Sequence, residues 1–152
     1  MERFVENFIP EIGVGECAGV MYDMVGGIIK DAENKLMDAK ENLSKNKFPE
    51  AIYYAYTGFV IGAKALLLSK DVECNTQIKI LKDFDLHLVQ TSEFKIEDGF
   101  ENLVLQINQH EPEKEFAENY VKQFTYFLKD VIAHRESSLN KDKVVVESSY
   151  KA

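Results

Sequence analysis

The chain has 152 residues, 45% of them hydrophobic, with 26 Asp and Glu against 18 Lys and Arg for a net charge of −8. That length suits one domain, which buries roughly 70% of the surface its unfolded chain exposes; the composition excludes a disordered chain, and the surplus of acid excludes non-specific nucleic acid as the default partner, since such binding needs cations that displace counterions. Cys17 and Cys74 stand apart with no CxxC and no pair of His at ligand spacing, so the chain by itself assembles neither an iron–sulfur cluster nor a zinc site, and free thiols place it in the cytosol.

Residues 1–27 read as a glycine-rich arm. Pro10, Gly13, Gly15, Gly19, Gly26 and Gly27 make a regular helix unexpected before about Ala18, and no cationic segment followed by an apolar stretch opens the sequence as a signal peptide would. From Ile28 the apolar residues Ile28, Ala32, Leu36, Ala39 and Leu43 recur at steps of three and four, which predicts an amphipathic helix ending in Ser44-Lys45-Asn46-Lys47. Pro49 then suits the first turn of a second helix running to about Ser69. The apolar stretch from Ala51 to Leu68 has the length of a membrane span, but Tyr53, Tyr54, Tyr56, Thr57 and Lys64 mark it as a buried helix, so no membrane is expected as a partner. Gly58 and Gly62 stack on one face of it, and the expectation is that another backbone approaches there.

A third helix near Asn75–Leu88 places Ile78, Leu81, Asp85 and Leu88 on one face with Phe84 beside it. A short helix from about Asp98 turns Phe100, Leu103, Val104 and Ile107 inward, and a last helix carries Phe116, Tyr120, Phe124, Phe127, Leu128 and Val131. Every long periodic segment has the period of a helix, which predicts an all-α bundle over residues 28–136, with Ala55, Phe59, Leu66, Phe124 and Leu128 in its core. Residues 137–152, rich in Ser, Asn, Lys and Asp, read as a flexible tail.

Leu36, Ala39, Leu43, Phe48, Ala51 and Tyr54 suit one tetratricopeptide unit, but nothing recurs at a period of 34, so a single helical hairpin is the better description. The fuller run Ala39, Leu43, Phe48, Ala51, Tyr54, Ala55, Phe59, Ala63, Ala65, Leu66 and Leu67, followed by a long aromatic last helix, resembles the HEPN domain family over residues 28–136. That resemblance implies a five-helix up-and-down bundle and pairing of two copies through helical faces. HEPN ribonucleases carry Arg, four to six residues, then His. The nearest match here, Lys129-Asp130-Val131-Ile132-Ala133-His134, has Lys for Arg, and Lys cannot clamp a phosphate with two parallel hydrogen bonds. Lys129 and His134 are therefore weak catalytic candidates, and the plainer reading has them neutralising a helix C-terminus.

Gly13-x-Gly15-x-x-Ala18 formally satisfies a dinucleotide fingerprint, yet that fingerprint needs a strand before it and a βαβ unit around it, which this chain does not supply. Read as a unit, Ile9-Pro-Glu-Ile-Gly13-Val-Gly15-Glu-Cys17-Ala18-Gly-Val20 resembles the C-terminal sequence of some bacterial sirohaem sulfite or nitrite reductases, where such a segment precedes an appended helical domain. The resemblance covers about residues 4–25. It implies an accessory domain for reductase catalytic domains, with sirohaem and its iron–sulfur cluster held elsewhere and no cofactor bound by this chain.

Glycines leading into a helix at Ala18 would aim N–H groups at an anion such as a nucleotide phosphate, with Cys17 beside them; the plainer reading is a connector with a buried thiol. Tyr53, Tyr54 and Tyr56 span more than one helix face, so at least one should find a polar partner or a groove; Tyr53 and Tyr54 join Gly13, Gly15 and Cys17 as candidate ligand contacts. His87 and His110 read as ordinary surface or interface residues. Two functions follow, a non-catalytic interaction domain associated with a reductase or a HEPN protein with a degenerate nuclease motif that binds nucleotide or RNA between helices; a third reading is a purely structural dimerisation domain. A homodimer is expected from each, because Phe4, Val5, Phe8 and Ile9 left in water would forfeit roughly 1.5–3 kcal/mol per large side chain.

Overall fold

The computed structural model describes the backbone of residues 17–151 and the side chains of residues 24–139, and within these limits the chain is an all-α bundle without strands. Helix α1 (Cys17–Ser44) contains the predicted inward row, with Ala32 and Ala39 fully buried. It also crosses the expected arm boundary at residue 28, because Val25 and Ile29 are buried on either side of Gly26 and Gly27. Two large side chains, at roughly 1.5–3 kcal/mol each, outweigh two helical glycines at about 1 kcal/mol each. α1 ends where expected: Asn46 takes a left-handed conformation (φ 58°), and the Lys47 N–H returns to the Asn42 carbonyl at 2.9 Å, which closes the helix by a Schellman turn.

Helix α2 (Phe48–Ser69), with Pro49 in its first turn, is long and apolar enough to cross a bilayer, and it is packed against α1 and against two later helices. Ala51, Ala55, Phe59, Ala63 and Leu66 are buried in it. The glycines on its surface do not admit a backbone as expected. A Cβ on Gly58 would fall 2.1 Å from the ring of Phe124, and one on Gly62 would fall 3.2 Å from the ring of Phe127. What the missing side chains make room for is a pair of aromatic rings.

Helix α3 (Gln77–Phe84) is capped by Thr76, whose hydroxyl accepts from the Lys79 N–H at 3.2 Å, and it widens into a π turn over Asp85–Val89. Tyr56 donates to Gln77 Oε1 at 2.9 Å, and Lys70 Nζ reaches the His87 carbonyl at 3.5 Å. The connection after α2 therefore carries the chain back along that helix, and α3 then follows it in the same sense. Ile80, Leu81, Phe84 and Leu88 form the buried arc. Ile78, expected inside, is 67% exposed, because Ile80 and Phe84 stand one turn apart at the centre of that arc and Ile78 lies well off it.

Asp85, an acid on the predicted apolar face, has a structural use. Its carboxylate accepts the N–H groups of Phe100 (2.6 Å) and Glu101 (3.0 Å), capping helix α4 (Phe100–Leu105) from 15 residues away. Gly99 precedes that helix at φ 86°, and a Cβ there would press to 3.1 Å from Asp85 Oδ1. A 3₁₀ turn, Gln106–Gln109, completes α4.

Helix α5 (Lys114–Lys151) buries Tyr120, Phe124, Phe127, Leu128 and Val131 as predicted. Phe59 lies 5.2–5.4 Å from the ring centroids of Tyr120, Phe124 and Phe127, and Phe100 stacks on Phe127 at 5.0 Å. The Tyr120 hydroxyl is pushed above its usual range by burial and donates to the Val104 carbonyl at 2.8 Å. α5 does not stop at Glu136, where a flexible tail is expected. No Gly or Pro stands between residues 137 and 151 to break it, and the helix continues to Lys151.

Candidate functional site

The sequence candidates divide three ways. Gly13 and Gly15, with the apolar arm of Phe4, Val5, Phe8 and Ile9, lie outside the described residues, as does the side chain of Cys17, whose backbone begins α1. Tyr53 and Tyr54 meet edge to face at 5.7 Å, with Lys35 Nζ 5.8 Å from the Tyr54 ring. The polar partner expected for one of the three tyrosines belongs to Tyr56, through Gln77, and burial raises that hydroxyl's pKa.

Lys129 and His134 are not brought together. Both sit inside α5 rather than near its C-terminus, so the expected neutralisation of a helix end does not apply. Lys129 is exposed to solvent. His134 belongs instead to a cluster with Lys70, Thr91 and Glu93 that ties the end of α2 and the segment after α3 to α5. Glu93 Oε2 accepts from Lys70 and, at 2.9 Å, from Thr91; its Oε1 lies 3.2 Å from His134 Nε2. Burial pushes the Glu93 carboxyl up, but hydrogen bonds from Lys70, Thr91 and His134, with the Lys70 charge, outweigh it and hold the pKa down at about 2.

With Nε2 donating to Glu93, His134 Nδ1 is the lone-pair nitrogen; it is shielded from solvent and has no hydrogen-bond partner, while the ring packs on Phe94 at 5.4 Å. Both oxygens of Glu93 are thus occupied, and the one histidine nitrogen that could take a proton is closed off. The cluster is built to hold three segments together.

Cys74 is no nucleophile. Its thiol donates to Asp83 Oδ2 at 3.3 Å, and burial together with that carboxylate pushes its pKa up to about 11, so it stays protonated at neutral pH. Among the described residues no group of three or more His, Cys, Asp and Glu side chains is placed to hold a metal ion. His87 is half-buried, and His110 stacks on Phe116 at 4.7 Å.

Among the described residues a groove of about 720 Å³ lies between the segment Phe94–Asp98, α4 with its 3₁₀ turn, and α5. Its size falls within the usual range of ligand sites, ~300–1,000 Å³. Ile96, Leu103 and Leu105 give it an apolar floor over the rings of Phe94 and Phe127, and Tyr126 of α5 forms a wall. Glu97, Asp98 and Asp130 line it against the single ammonium of Lys95. Gln106 donates through Nε2 to the Leu103 carbonyl (2.8 Å) and to Gln123 Oε1 (2.6 Å), and Asn102 donates to the Asp98 carbonyl at 2.6 Å.

None of the candidate catalytic or ligand-binding residues of the sequence lines this groove; His110, read there as a surface or interface residue, does. A signal was present, since Asn102, Gln106 and Gln109 recur at steps of four and three and form an amide stripe beside the inward Phe100 and Val104 row.

No family model, curated protein or solved structure matches the chain.

Proposed function

We propose that the chain is a non-catalytic helical accessory domain that acts by binding a partner, and that the partner is a sirohaem-dependent sulfite or nitrite reductase. The observation that carries the first half is the closure of the Glu93 cluster: the histidine of the degenerate nuclease motif is bound to a carboxylate already engaged by Lys70 and Thr91, and Lys129 stands apart from it in solvent. The second half rests on the string Ile9–Val20 and its resemblance to reductase C-terminal sequence. A phosphate-bearing ligand gains nothing from the groove, where three carboxylates face one lysine.

Two measurements test the proposal. Mixed with the catalytic domains of a sirohaem reductase, the intact chain is expected to co-elute with them at fixed stoichiometry in size-exclusion chromatography with light scattering; separate elution removes the reductase as partner. Incubated with labelled RNA, the chain is expected to leave it intact. Cleavage that disappears in His134→Ala would establish the nuclease reading instead.

A further inference from the structure

We infer that the groove between the Phe94–Asp98 segment, α4 and α5 is a docking site for a basic, amphipathic peptide segment of a partner protein, one that sets an apolar side chain on the floor and Lys or Arg on either side of it. The inference rests on the reading of the chain as an interaction module and names the chemistry of what it engages.

Charge and hydrogen-bonding capacity select this occupant. Glu97 and Asp98 lie on one bank and Asp130 on the other, all exposed, with Lys95 the only lysine or arginine in the lining. Like charges close together repel, and here the balance calls for a cation. The amides point the same way. Both amide hydrogens of Gln106 are spent inside the protein, on Leu103 and Gln123, and Asn102 spends one on Asp98. What Gln106 has left to offer is its carbonyl oxygen, an acceptor for an N–H donor.

A bare cation would leave the rest of the groove unused. Tyr126 is 56% exposed on the α5 wall, and Ile96, Leu103 and Leu105 are only half-covered below it. An exposed tyrosine beside an apolar floor is the surface on which interface anchors rest, and its ring face also attracts an ammonium or guanidinium. A segment in which apolar and basic side chains alternate satisfies floor and rim together.

The test uses the intact chain and fluorescence anisotropy, with a fluorescein-labelled peptide Lys-Leu-Lys-Leu-Lys-Leu-Lys as the probe and its Glu-for-Lys counterpart as the comparison. The basic peptide is expected to bind and to weaken as salt is raised; the acidic one is not expected to bind. The double variant Glu97→Lys/Asp130→Lys, both at exposed positions, is expected to weaken binding by about tenfold or more.

Glu33→Lys/Glu73→Lys changes the net charge equally at exposed positions outside the groove and is expected to change binding by less than about twofold. Equal losses in the two variants would show general attraction to an acidic protein and overturn the site. Displacement of the labelled peptide by spermidine as readily as by unlabelled peptide would overturn it too, because the floor would then contribute nothing. Co-elution of the wild-type chain with the reductase is read separately: if it persists while the peptide fails to bind, the groove assignment falls and the interaction module stands.

Discussion

Along α5 lie two polar regions of opposite character. Near His134 the polar groups turn on one another: Glu93 is held by Lys70, Thr91 and His134, and the free ring nitrogen is sealed from water. About one and two helical turns earlier, Asp130 and Tyr126 open onto a groove in which three carboxylates have no cation but Lys95 to face. The same helix thus supplies a tie on one stretch and a surface on the other. What separates them is satisfaction: a charged group whose partners are all internal stabilises the fold, whereas one whose partners are missing is available to another molecule.

The closed side should therefore answer to stability measurements, and the seam between α2 and α5 should answer most. Phe124→Ala empties the space that Gly58 keeps open and is expected to cost about 3–5 kcal/mol in chemical denaturation. Gly58→Ala should cost about 1–3 kcal/mol by overpacking against that same ring, and the double variant should cost less than the sum, since each change relieves the other. Additive losses would mean that the ring and the glycine do not meet.

Next comes the remote cap. Asp85→Ala leaves the Phe100 and Glu101 N–H groups without their acceptor and is expected to cost roughly 1–2 kcal/mol, with Asp85→Asn costing less because one oxygen remains.

The Glu93 tie has a signature in pH. Its carboxyl is held at about 2 against an ordinary 4.5, so as pH falls the unfolded chain takes up the proton first. Its contribution to stability is complete above about pH 4.5 and drains away toward pH 2. The difference in stability between wild type and Glu93→Gln should accordingly narrow across that window. A difference that stays flat there would mean that the three donors do not hold the carboxylate in solution.

These contrasts also explain what could be read in the sequence. The inward rows of α1, α2 and α5 were legible because Ala32, Phe59 and Phe124 belong to long segments whose period alone identifies the buried side. Ile78 was not, because α3 is two turns long and its buried arc is centred on Ile80 and Phe84, a choice made by packing rather than by so short a pattern. Gly58 and Gly62 revealed a close approach without revealing that rings, not backbone, make it.

The site was harder still. Lys129 and His134 are near in sequence and unrelated in space, while His134 and Glu93 stand 41 residues apart and touch. Asp85 shares a face with Leu81 and Leu88 in the sequence pattern, and its partners, the N–H groups of Phe100 and Glu101, lie 15 and 16 residues away. Contacts of this kind are made by the packing of helices, and no local spacing encodes them. The amide stripe of α4 was local and could have been found, but only the arrival of α5 beside it turns a polar helix face into a groove.

The smallest expected effect lies on the open side and distinguishes the two regions most sharply. Asp130 is exposed and makes no hydrogen bond or ion pair among the described residues, and Tyr126 projects its ring into solvent from the wall of the groove. Surface changes away from caps, cores and buried pairs fall within about ±0.5 kcal/mol. Asp130→Ala and Tyr126→Ala should each stay inside that range in chemical denaturation, and Asp130→Ala should if anything stabilise, since it removes the one carboxylate that faces Glu97 and Asp98 across the groove. A loss of 1 kcal/mol or more, against the roughly 0.5 kcal/mol allowed for a free surface, would show that these side chains hold the fold. The contrast between a closed and an open stretch of α5 would then be lost. Unchanged stability together with weakened peptide binding would separate the two roles along a single helix.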